Sequence, residues 1–316
     1  MIGDLLKQLC VGLWRFFLYH LARFTGFHHP PSVRQAPESL RPTSAVADAK
    51  GIAVPPDEAV LSEAYRRTVR VSTSRRDLDS EEFARNPVFQ FWKQHKPRAH
   101  KWTHYFGAYH SIFGLRRSQA LRILEIGVYQ GASLHLWRQY FDNPETVIVG
   151  IDIDPTCAQF DSSRENVHVR IGSQADAAFL KIVTHEFGPF DIIIDDGSHH
   201  SSHMIASFNH LFAGALKDDG IYLAEDLHAN YWTPYRDTRL SFLDLCKELM
   251  EFMHAHYSRA ALAEWLLESD SESDQLSLDV PVIATMIKEI RVFDSIVAIH
   301  KTRREYLPRL LNPIAD

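Results

Sequence analysis

A chain of 316 residues, 45% of them apolar, is long enough to bury a sizeable core. Its 34 basic and 40 acidic residues leave a formal charge of -6, which argues against a general nucleic-acid binder, since such proteins carry a basic surface. The 3 cysteines, Cys10, Cys157 and Cys246, are far apart and form no CxxC pair, so neither a disulfide framework nor a thiolate zinc site is expected, and a reducing cytoplasm fits.

Residues 1–28 are apolar and aromatic, with Asp4, Lys7, Gln8, Arg15 and Arg23 spaced as a narrow polar stripe on a helix. Arg15 interrupts the apolar run, which is too short for a clean membrane span. Two readings stay open: a helix docked on the core or on a second copy in a homo-oligomer, or an in-plane anchor that makes a cytoplasmic protein membrane-associated. Residues 29–57, rich in proline, serine and alanine, read as a flexible linker. Residues 58–118 read as a mostly helical N-terminal or lid region, in which Trp92, Phe106 and Phe113 are expected in the core.

At Leu121 the pattern changes, opening a domain that runs over 119–316. The runs LRILEIGV, TVIVGIDID, VHVRIGS, FDIIIDD and GIYLAED are short, apolar and strand-like. Between them SLHLWRQYF, DAAFLKIVTHEFG and SHMIASFNHLFAGAL have helical spacing. Alternation of this kind implies right-handed crossovers and a mostly parallel sheet with helices on both faces, a Rossmann-like α/β fold. More helix is expected near 238–267, then an acidic ESDSESD stretch, then two late strands near 282–292 and 293–300 as an antiparallel edge hairpin.

In such a sheet ligands bind beyond the carboxyl ends of the strands. The first strand ends in Glu125-Ile126-Gly127-Val128-Tyr129-Gln130-Gly131, a turn whose glycines permit close backbone approach. The helix after it, opening with Ala132 and Ser133, offers free N–H groups to a carboxylate. Asp152, at the second strand end, can accept from ribose hydroxyls, and Gln174, at the third, can meet an adenine. Glu125 would repel a pyrophosphate but suits a phosphate-free, cationic cofactor, which favours S-adenosylmethionine over a nicotinamide dinucleotide.

The fourth strand ends in Asp195-Asp196-Gly197-Ser198-His199 and the fifth in Glu225-Asp226. Neighbouring parallel strands lie about 5 Å apart, so Asp196, Glu225 and Asp226 can converge. A divalent cation relieves their repulsion, and an all-oxygen site suits magnesium or manganese. His199 is placed to take a proton from a metal-activated hydroxyl. If His199 and His203 share a helix face, a histidine–carboxylate zinc site is an alternative.

The runs LEIGVYQGASLHLWRQYF, GIDID, GSQADAAFL, GPFDIIIDDGSHHSSH and GIYLAEDLHANYW resemble the metal-dependent sugar O-methyltransferases of macrolide biosynthesis, a class I S-adenosylmethionine-dependent methyltransferase type. The resemblance covers about residues 100–235 and implies Asp196, Glu225 and Asp226 as metal ligands and His199 as base. It also implies a cofactor pocket built from Glu125, Gly127, Tyr129, Gly131, Ser133, Asp152, Gln174 and Asp195. Lys101 and Tyr105 match a segment that closes over the site in such enzymes. The chain departs from the family at His100 and Ser173, where an acid is common, and at the KDDG before the fifth strand. The acceptor implied is a sugar or glycosylated molecule. The alternatives are a phenolic acceptor and a non-catalytic, cofactor-binding partner subunit.

Overall fold

Parallel strands buried on both faces require long apolar β-branched runs, and the centre of this protein is built from them. The computed structural model describes residues 68–69, 80–96, 98–257 and 279–305. The helix expected over 1–28, the linker over 29–57 and the ESDSESD stretch lie outside the described residues.

In chain order, Ser80 caps α1 (Glu81–Arg85). Asn86 caps α2 (Pro87–Gln94) by accepting from the Phe89 N–H at 3.1 Å, with Pro87 in the first turn where its missing N–H costs nothing. Then come α3 (Tyr105–Phe113), β1 (Arg122–Ile126), α4 (Ala132–Tyr140), β2 (Val147–Asp152) and β3 (Val167–Ile171). Two short 3-10 turns, Pro155–Phe160 and Ser163–Glu165, stand between β2 and β3 in place of an α-helix. The chain continues through α5 (Ala177–Phe187), β4 (Phe190–Asp195), α6 (Ser201–Gly214), β5 (Leu216–Ala224), α7 (Phe242–Met253), α8 (Val282–Met286), β6 (Ile287–Phe293) and β7 (Ile296–Lys301).

The strands form one sheet in the order β3-β2-β1-β4-β5-β7-β6. β1 to β5 are mutually parallel, whereas β7 pairs antiparallel with both β5 and β6. The expected edge hairpin is present. The first of its two expected strands begins later than the apolar pattern suggests, because Val282–Met286 turns as a helix behind Pro281. The helix expected near 238–267 is described over Phe242–Met253.

Side chains alternate across the sheet and divide the core in two. Ile123, Ile192, Ile194 and Ile221 face α2, α3 and Trp137 of α4, while Leu124, Val149, Ile193 and Tyr222 face α5, α6 and α7. Phe106 and Phe113 are buried, and Trp92 packs partly buried against the same core. Residues 80–113 therefore cover one face of the sheet. All the helices and strands described lie within Thr73–Asp316, which forms one compact unit. Among the described residues no helix is long and apolar enough to cross a membrane.

Because the order reverses at β1, the ends of β1 and β4 open side by side at the topological switch point, the usual place for a ligand crevice.

Candidate active site

The turn after β1 is shaped by glycine. Gly127 has φ +98°, and a Cβ there would sit 2.1 Å from the Asp196 carbonyl oxygen, so no side chain fits between the ends of β1 and β4. Gly131 has φ +71°, and a Cβ would meet the Phe160 ring at 2.6 Å. Tyr129 also has positive φ, at 50°, and its side chain is exposed. Asp152 ties β2 to this turn. Its Oδ2 accepts from the Val128 and Tyr129 N–H groups, each at 2.9 Å, and its Oδ1 from the Asp154 N–H at 2.9 Å.

Glu125 is fully buried beneath the turn and accepts from Trp137 Nε1 at 2.9 Å. Ser133 lies beside it, and its second oxygen, Oε2, has no hydrogen-bond partner. Burial pushes its carboxyl up to about 7, against the pull of the Lys101 ammonium.

Gln174 and Asp195 lie together in a buried network. Asp195 accepts from Tyr222 OH at 2.7 Å, Ser207 Oγ at 2.8 Å and Gln174 Nε2 at 3.0 Å. Burial raises its carboxyl and these donors oppose the rise. Gln174 Oε1 accepts from the Ser198 N–H at 2.8 Å, so the network holds the loop carrying His199.

At the ends of β4 and β5 the structure brings Asp196, Glu225, Asp226 and His199 together. His199 Nε2 lies 3.8 Å from Asp196 Oδ1 and 3.6 Å from Asp226 Oδ2. His199 precedes α6 in a left-handed conformation, φ 58°, so it does not share a helix face with His203 as the sequence spacing allowed. His203 Nδ1 instead meets Ser198 Oγ at 2.9 Å. Lys101, only 2% exposed, donates to Asp196 Oδ2 at 2.5 Å and to Glu225 Oε2 at 2.7 Å. Burial opposes its charge, but Asp196 and Glu225 hold its ammonium well above the usual range. Burial pushes Glu225 up while Lys101 pulls it back. Asp226 accepts from Tyr105 OH at 2.6 Å. Burial works against its charge, yet His199, Tyr105 and Lys101 keep its carboxyl below the usual range.

Sequence reasoning missed Trp137, His228, Ser295, Trp102 and Trp232. Trp137 holds Glu125, and the Ser295 hydroxyl meets His228 Nδ1 at 2.6 Å. Trp232 closes the GIYLAEDLHANYW run just after Glu225-Asp226, a signal that was legible. Ser295 comes from the β6–β7 turn and carries no local signal of this kind.

A family model described as a methyltransferase domain matches residues 124–227. The chain is 37% identical over 166 residues to the 8-demethyl-8-(2-methoxy-alpha-L-rhamnosyl)-tetracenomycin-C 3'-O-methyltransferase of Streptomyces olivaceus, covering 48% of this chain and 41% of that one. It is 41% identical over 148 residues to the L-olivosyl-oleandolide 3-O-methyltransferase of Streptomyces antibioticus, covering 43% and 36%. The chain resembles the macrolide-type sugar O-methyltransferases. The solved MycE methyltransferase of the mycinamycin pathway, in complex with Mg and SAH, superposes with a TM-score of 0.56 at 26% identity, over 71% of this chain and 58% of that one. The curated matches thus span about two fifths of those relatives' own length, 41% and 36%.

Proposed function

We propose that this chain is an S-adenosylmethionine-dependent O-methyltransferase acting on a hydroxyl of a sugar or glycosylated acceptor, with a divalent cation and His199 activating that hydroxyl. The observation that carries this reading is the meeting of Asp196, Glu225, Asp226 and His199 at adjacent strand ends, beside the glycine turn of β1. The activities for which the two relatives are named, on rhamnosyl and olivosyl groups, support a sugar hydroxyl as acceptor.

The donor set fits magnesium. The carboxylates offer hard oxygen ligands, and Glu225 Oε1 is buried with no hydrogen-bond partner, a cost that a cation would remove. Asp196, Glu225 and Asp226 would hold the ion. Magnesium held there would supply a Lewis acid that lowers the pKa of an alcohol. His199 Nε2 takes the hydroxyl proton, and Asp196 and Asp226 on either side stabilise the imidazolium that results. S-adenosylmethionine, when bound, would supply the electrophilic methyl for that oxygen, its C–S bond breaking to leave the neutral thioether. Lys101 steadies Asp196 and Glu225, and Tyr105 steadies Asp226. The Gly127–Gly131 turn and Asp152 would hold the methyl donor, with Glu125 buried beneath the turn.

One observation favours a second reading of His199. Single ligand atoms of Asp196, His199 and Asp226 lie within 4.8 Å of one another, while Glu225 is engaged by Lys101. In that arrangement His199 is the third ligand and not the base.

Calorimetric titration of magnesium into the protein saturated with S-adenosylhomocysteine tests the proposal. Wild type should take up the ion and Asp196→Asn should not. Uptake of the thioether product without magnesium uptake by either protein would keep the cofactor site and remove the metal mechanism.

A further inference from the structure

The carboxylates and His199 account for a hydroxyl but not for the ring that bears it. Two tryptophans beside them are unused by the mechanism above. Trp102 is 47% exposed and Trp232 46%, high for a side chain that proteins mostly bury.

Both indoles are held in place by the same imidazole. The Trp102 and His228 rings meet edge to face, with centroids 5.4 Å apart, and Trp232 meets His228 edge to face at 4.8 Å. His228 is itself fixed. Its Nδ1 lies 2.6 Å from Ser295 Oγ, its backbone N–H donates to the same oxygen at 3.0 Å, and Asp226 Oδ1 lies 3.9 Å from Nδ1. From Trp232 the rings continue to Tyr235 at 6.1 Å and from there to His199 at 6.4 Å. At the other end Trp102 follows Lys101, which grips Asp196 and Glu225. The aromatic run therefore meets the acid centre at His228, beside Asp226, and at His199.

An apolar wall against a hydroxyl-binding centre matches an amphipathic ring. A pyranose presents C–H groups on its faces and hydroxyls around its edge. Its face can lie on an indole while one edge hydroxyl reaches Asp196, Asp226 and His199. We propose that Trp102 and Trp232 are the acceptor-stacking residues of this protein, selecting a pyranose ring by its C–H face. This rests on the O-methyltransferase reading and adds to it the residues that hold the acceptor.

The test titrates methyl α-L-rhamnopyranoside into the full chain saturated with magnesium and S-adenosylhomocysteine, followed by saturation-transfer NMR on the glycoside. Wild type should transfer saturation to the ring C–H protons. Trp102→Ala and Trp232→Ala should each weaken binding about tenfold, as truncation of an aromatic anchor does. Trp102→Phe and Trp232→Phe should stay within about threefold of wild type, because a smaller aromatic face remains. S-adenosylhomocysteine affinity should be the same in all five proteins, which separates loss of stacking from loss of fold. Unchanged glycoside binding in both alanine variants overturns the assignment and leaves the methyl-transfer reading intact. So does no glycoside binding by a wild type that binds S-adenosylhomocysteine. Tryptophan-dependent binding of catechol with none of the glycoside overturns the pyranose as the ring selected. A wild type that takes up no S-adenosylhomocysteine refutes the underlying reading, and the stacking assignment falls with it.

Discussion

Gln174→Leu separates a cofactor contact from a structural brace. In the folded protein the Gln174 amide joins three groups: Nε2 donates to Asp195 Oδ1 at 3.0 Å and lies 3.4 Å from Ser207 Oγ, and Oε1 accepts from the Ser198 N–H at 2.8 Å. Leucine has similar bulk but no polar atoms. Asp195 is fully buried and would lose one of its three donors, a charge-assisted bond worth roughly 1.5–3 kcal/mol. The Ser198 N–H is partly buried and would lose its acceptor, adding about 1 kcal/mol. A total of about 3 kcal/mol shifts the melting temperature of a domain of this size by about 6–12 °C. The pH dependence gives a second signature. Burial raises the Asp195 carboxyl, and Gln174 is one of the donors that hold it down. Only the charged carboxylate needs that donor. The deficit of the variant is therefore full above the folded pKa of Asp195 and shrinks as pH falls through it. Urea unfolding across that range, with calorimetric titration of S-adenosylhomocysteine at neutral pH, measures both quantities. A stability loss below about 1 kcal/mol, with binding weakened more than about tenfold, would refute the brace and place the Gln174 side chain on the cofactor.

Further outcomes follow from other positions. His199→Ala should lower methyl transfer at least about 100-fold. It should leave magnesium affinity within about threefold if His199 is the base, and weaken it more than about tenfold if His199 is a ligand, as calorimetry will show. Gly127→Ala must place a Cβ 2.1 Å from the Asp196 carbonyl at φ +98°. It should cost about 3 kcal/mol or more in urea unfolding and abolish S-adenosylhomocysteine binding; a loss within about 0.5 kcal/mol would contradict the close approach of β1 and β4. Asp244 completes a capping box with Ser241 at the start of α7. The Ser241 backbone N–H, Lys247 and the Ser241 hydroxyl hold its carboxyl down to about 2. Asp244→Ala should cost about 1 kcal/mol at neutral pH. Because the folded pKa is depressed, that contribution is full above the unfolded value of about 3.9 and is lost as pH falls toward the folded one. A gap between the two proteins that persists at the acid end would argue against the cap.

Much of this protein is written locally. The apolar runs ending at Ile126, Asp152, Ile171, Asp195 and Ala224 announce buried parallel strands, because strand and helix periodicities are properties of neighbouring residues. The glycines at 127 and 131 mark a turn that L side chains resist. That Asp196 and Glu225-Asp226 could meet was also legible, since adjacent parallel strands bring their carboxyl ends together. Other features were settled by the sheet order and by contacts across long stretches of chain. Lys101 reaches Asp196 and Glu225 from a segment before the first strand. Ser295 fixes His228 from the final hairpin, which lies beside β5 only because β7 pairs with it. Gln174 and Asp195 each read as strand-end ligands, but that they bond to each other, with Ser207 of α6 as a further donor to Asp195, is set by packing between the sheet and α6. The spacing allowed His199 to share a helix face with His203, yet His199 itself takes a left-handed conformation ahead of α6 and lies against the carboxylates. The sequence by itself therefore determined the elements and the chemical types at their ends, which depend on local propensity and burial. The tertiary structure alone decided which of those polar groups face one another, because that depends on strand order and on backbone dihedrals that no local pattern encodes.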